Sequence, residues 1–63
     1  EEWESAKECW EMALEAFEIQ DDWKFSTVVL EQLSKVSEKL GETVLAEKYL
    51  ERAKNLYQDR SSA

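Results

Sequence analysis

Apolar side chains recur at three- and four-residue steps through most of this 63-residue chain, and the pattern breaks twice. In the first segment Trp3, Ala6, Trp10, Ala13 and Phe17 form one stripe, widened by Leu14. That period predicts an amphipathic helix over about 3–19. A second stripe, Phe25, Val29, Leu33, Val36 and Leu40 with Leu30 beside it, predicts a helix over about 23–40. Ser26 to Val29 are locally β-prone, but the helical period continues on both sides of them. A third stripe, Ala46, Tyr49, Leu50, Ala53, Leu56 and Tyr57, predicts a helix over about 44–58. The expected fold is all-α: three antiparallel helices in a single unit over 1–60, followed by a polar tail at 61–63.

The breaks carry their own signals. At Gln20-Asp21-Asp22, either aspartate can cap the second helix by accepting a bond from an unpaired amide. Gly41, the only glycine, stands where the second helix should end, and a glycine there enters the left-handed conformation cheaply. Thr43 is the expected cap of the third helix.

Composition narrows the possibilities. There is no proline, which suits a helical chain. The hydrophobic fraction of 43% argues against a disordered tail, and no apolar run approaches a membrane span. A single cysteine, Cys9, rules out an internal disulfide. With no secretory signal in view, a lone thiol points to an intracellular, cytoplasmic setting. A chain this small buries only about 60% of its unfolded surface, so helix packing, neighbouring repeats or another chain must stabilise it.

Charge is unevenly spread. Residues 1–22 hold nine acids against one base, Lys7, whereas residues 23–63 hold six acids and seven bases. Without clustered Lys and Arg, nucleic-acid binding is not expected. Glu4, Glu8, Glu11, Glu15 and Glu18 climb one face of the first helix. They read either as a solvated face or as a site for a basic partner whose binding weakens with salt.

Nothing in the chain points to catalysis. It has no histidine, so general-base chemistry loses its commonest member and Cys9 lacks an activating base. Zinc-ligand spacings and a calcium loop are missing, and no cofactor is expected. Of the three tryptophans, Trp10 reads as core; Trp3 and Trp23 flank helix ends, either anchoring an interface or filling a small core.

The chain also repeats itself. Ala6, Glu11 and Ala13 coincide with Ala46, Glu51 and Ala53 at an offset of 40, Trp10 falls on Leu50, and Phe17 on Tyr57. Self-similarity at that distance marks stacked helical units. Residues 27–60 resemble one tetratricopeptide repeat, a helix–turn–helix of about 34 residues. Leu30, Leu33 and Ser34 stand at its large, large and small positions, Gly41 at its turn glycine, Ala46, Leu50 and Ala53 at its small–large–small signature, and Leu56 at its last apolar position. Ser37, Thr43 and Gln58 depart from the usual aromatic, tyrosine and proline. The longer spacing is similar to that of kinesin light chains and the soluble NSF attachment proteins.

That resemblance implies a protein–protein interaction and scaffolding role. It makes the chain one and a half repeats of a larger array, with Trp3, Cys9 and Met12 on a face meant for a neighbour. The first helix of each repeat in that family lines a peptide groove, which implies Val28, Glu31, Gln32, Lys35 and Glu38 as partner-binding residues. Only Lys35 is present to clamp a carboxylate, so a mixed or basic peptide or helix suits the face better. A piece of such an array is expected to self-associate. The rival expectations are a stand-alone, monomeric structural three-helix bundle, natural or designed, and a helix-binding accessory domain of the microtubule-interacting-and-trafficking type.

Overall fold

The computed structural model describes residues 2–61. It contains three helices and no strand among them: α1 (Glu2–Ile19), α2 (Trp23–Lys39) and α3 (Thr43–Ser61). The β-prone patch at Ser26–Val29 lies inside α2. Ser61 belongs to α3, so the helix runs further than the apolar stripe indicates; the rest of the expected tail, and Glu1, lie outside the described residues.

Both breaks have one geometry. At the first, the Asp22 amide donates to the Phe17 carbonyl at 2.9 Å and the Asp21 amide to the Glu18 carbonyl at 3.0 Å. At the second, the Glu42 amide donates to Ser37 at 2.8 Å and the Gly41 amide to Glu38 at 3.0 Å. These paired bonds satisfy carbonyls that the helix end leaves open, and they require a left-handed residue in the turn. Asp21 (φ 57°) and Gly41 (φ 80°) supply it. The next helix starts two residues later in each case, so helix-plus-turn repeats every 20 residues: Trp23 begins α2 and Thr43 begins α3. Asp22 caps α2, accepting from the Phe25 amide at 3.4 Å. The expected cap Thr43 is instead the first helical residue of α3; the cap position is Glu42, whose carbonyl accepts from the Ala46 amide at 2.9 Å.

Short turns fold α2 back antiparallel to α1 and to α3, leaving α1 and α3 parallel. Their cross-links show this directly: Lys7 meets Glu42, Glu18 meets Arg52, and Asp21 meets Arg60. Among the described residues no Cα of α1 lies within 8 Å of a Cα of α3. The helices therefore form an open layer, 39 × 21 × 11 Å, with α2 in the middle.

Being flanked on both sides, α2 is buried over a wide arc rather than a stripe. Val29, Leu30, Leu33 and Val36 are buried, and so are Ser26, Thr27, Ser34 and Ser37. Leu14 from α1 and Tyr49 and Ala53 from α3 complete the core, with Trp10, Ala13, Phe17, Leu45 and Leu56 packed around it. Small hydroxyl residues let the backbones approach closely: Ser34 Oγ donates to the Ala46 carbonyl of α3 at 2.8 Å. Phe25, expected in the α2 stripe, is instead exposed on its edge with its ring stacked on Phe17 at 5.2 Å. Leu50 and Tyr57, expected in the α3 stripe, are also exposed.

Candidate interaction surfaces

Three surfaces are available: the outer face of α2, and the two edges of the layer. Val28, Glu31, Lys35 and Glu38 are exposed on α2, and Gln32 is half-buried beside them. Their spacing of three and four residues puts them on one side of the helix, opposite Leu30 and Leu33. Glu31 and Glu38 flank Lys35, so the face is of mixed sign.

Trp3 and Trp23 do not join that face as one site. Trp3 is half-exposed at the start of α1, and Trp23 sits one helix length away, about 27 Å for 18 residues. Trp23 is half-buried, its ring 5.9 Å from that of Tyr57 on α3 and 5.8 Å from Lys24 Nζ. It ties the end of α3 to the start of α2.

The glutamate ladder of α1 is divided in its use. Glu11 accepts from the buried Tyr49 hydroxyl at 3.2 Å, and Glu18 pairs with Arg52 at 3.1 Å. The Glu18–Arg52 pair borders a furrow of about 460 Å³ between α1 and α3, lined also by Leu30 and Leu56. Burial, reinforced by the Glu11 carboxylate, pushes the Tyr49 phenol above its ordinary value of 10.0. The hydrogen bond to Glu42 likewise raises Lys7 above 10.5. Glu8 and Glu15, one helical step further round, have no such partner among the described residues.

No known protein family, curated protein or solved structure matches this chain. What it offers a partner must therefore be read from its own geometry. Among the described residues no group of three His, Cys, Asp or Glu could hold a metal ion, and no helix is long and apolar enough to cross a membrane.

The offset of 40 gains structural meaning at the two edges. Trp10 and Phe17 pack from α1 against the core that α2 centres. Their counterparts on α3, Leu50 and Tyr57, are 40% and 56% exposed. Conversely, Leu45, Tyr49 and Leu56 pack from α3 into the core, and their counterparts on α1, Ser5, Cys9 and Ala16, are exposed. Each outer helix thus carries one covered face and one open face, and the two are interchanged. The sequence singles out Trp3, Cys9 and Met12 as facing a neighbour; Cys9 and Met12 share the open face of α1, whereas Trp3 lies on the side of Trp10. The signal that reaches Ile19 and Ala16 is the uncharged 4-3 spacing on a helix otherwise rich in glutamate.

Proposed function

We propose that this chain is a helical-repeat protein–protein interaction unit that presents stacked helix faces and carries out no catalysis. The observation that supports this reading most is the exchange of covered and open faces between α1 and α3: the side chains that hold α2 on α1 recur on α3 at Leu50 and Tyr57, which stay partly open to solvent although the Tyr57 ring also meets Trp23. A helix of the α2 type laid there extends the layer by the same packing. The tetratricopeptide resemblance of residues 27–60 suits such stacking, and the mixed-sign face of Val28, Glu31, Gln32, Lys35 and Glu38 suits a peptide of mixed charge or a helix. A lone thiol and no disulfide fit a reducing, intracellular compartment.

A second reading, a stand-alone three-helix bundle, draws on the cross-links from α1 and its turn to α3, which tie the edges to each other. A tandem chain separates the two. Residues 21–61 are appended directly after Arg60, so that Asp21 supplies the left-handed turn residue and the 20-residue period is kept. In a stacking unit, stability grows with each added interface. The tandem chain then unfolds in one transition at a higher temperature than the single unit. Two independent transitions, or an unchanged midpoint, favour the stand-alone bundle.

A further inference from the structure

We infer that the open face of α1, Ser5, Cys9, Met12, Ala16 and Ile19, is a docking seam for a basic amphipathic helix of another protein. The five residues follow one another at steps of four, three, four and three, the spacing by which one helix meets another along a seam. None is charged, although α1 carries six glutamates elsewhere. All five are exposed, Met12 at 71% and Ile19 at 80%, on a helix where water-facing positions are otherwise mostly acidic. The internal repeat adds a reason for three of the five, whereas the counterparts of Met12 and Ile19 are the exposed Arg52 and Asp59. Leu45, Tyr49 and Leu56, the counterparts of Ser5, Cys9 and Ala16, form the face through which α3 meets a helix.

Charge selects the occupant. Glu8 and Glu15 border the seam, each one helical step from Met12, and neither has a partner among the described residues. The opposite border is Ala6 and Ala13, half-buried towards α2. A docking helix therefore meets negative charge along one flank and small side chains along the other, and Lys or Arg on its matching flank completes the pairing. A second copy of this chain is a poor occupant. An antiparallel pair sets Glu8 and Glu15 against their own copies, and residues 1–22 hold nine acids against one base.

The inference rests on the stacking reading above, and its test is separate. The probe is a three-heptad peptide with Leu at the seam positions and Lys on both flanks; its control has Glu on both flanks. Binding is followed by titration calorimetry at low and at high salt. The Lys peptide should bind, with affinity falling about tenfold or more at high salt, and the Glu peptide should not. The double variant Met12→Glu, Ile19→Glu decides between docking and mere charge attraction. It adds negative charge, so unspecific attraction of the Lys peptide rises, whereas seam binding is lost. Helix content by circular dichroism checks that the variant stays folded. Glu8→Gln with Glu15→Gln should remove most of the salt dependence. Equal binding of the two peptides, no binding of either, unchanged or tighter binding to the Met12/Ile19 variant, or sedimentation showing dimers that this variant disrupts each overturns the seam. If the tandem chain gains stability while the Lys peptide fails, the seam falls and the stacking reading stands.

Discussion

Tyr49 on α3 reaches Glu11 on α1 with its hydroxyl at 3.2 Å, although the two helix backbones stay apart. The phenol reaches α1 from within the core, and its neutral form is favoured by burial and by the carboxylate it donates to.

This relationship contributes to stability at alkaline pH. A group whose pKa is higher in the folded than in the unfolded chain contributes stability that is complete below the unfolded value and is lost as pH rises through the folded one. Tyr49 and Lys7 are both raised, so both losses fall in the alkaline range above 10.0. Urea unfolding at pH values on either side of that value should show a steady midpoint below it and a decline above it. Tyr49→Phe should flatten part of the decline; an unchanged profile in this variant would assign it elsewhere.

Two buried serines of α2 should respond in opposite directions. Ser37 Oγ is fully buried without a hydrogen-bond partner among the described residues, so it is desolvated with no compensating bond. Ser37→Ala should be neutral or raise stability by up to about 1 kcal/mol. Ser34 donates to the Ala46 carbonyl at 2.8 Å, and Ser34→Ala should cost about 1 kcal/mol. In a domain of this size each such change moves the thermal midpoint by roughly 4–8 °C.

Core and edge leucines should separate cleanly. Leu33 is completely buried between the outer helices, and Leu33→Ala should cost about 3 kcal/mol, enough to unfold much of a marginal domain. Leu50 is 40% exposed, and Leu50→Ala should cost well under about 1 kcal/mol in the single unit. In the tandem chain the same Leu50 change should erase most of the gained stability. Calorimetry of the four proteins makes the comparison.

The two turns differ in how well they suit their left-handed residue. A Cβ at Gly41 meets nothing within 4 Å, so Gly41→Ala is penalised by backbone conformation alone, about 1 kcal/mol. Asp21 adopts φ 57° as a non-glycine and places a negative charge at the C-terminal end of α1. Its ion pair with Arg60 at 3.0 Å is exposed and offsets little. Asp21→Gly should therefore stabilise by roughly 0.5 kcal/mol in urea unfolding; a loss of stability would show that the Arg60 pair outweighs the strain.

The helices, their breaks and the 40-residue echo were legible in the residues themselves, because each depends on neighbours close in sequence. Helix-forming side chains at a 3.6-residue period define α1, α2 and α3, and a glycine or aspartate in the turn ends a helix through its own backbone. Which apolar residues are covered was not legible in the same way. Phe25 and Leu50 continue their stripes as well as Val29 and Ala53 do, yet they lie at the rim. Ser26 and Ser37 interrupt the α2 stripe and are buried. The rotation of each helix about its axis decides this, and that rotation comes from packing against side chains 12 to 39 positions away. The same holds for the acids of α1: only the placement of α3 gave Glu11 and Glu18 their partners and left Glu8 and Glu15 facing outward. Local spacing thus determined the elements and their order, while tertiary packing decided which faces were closed and which stayed open, because burial depends on the neighbour a helix turns towards and not on its own pattern.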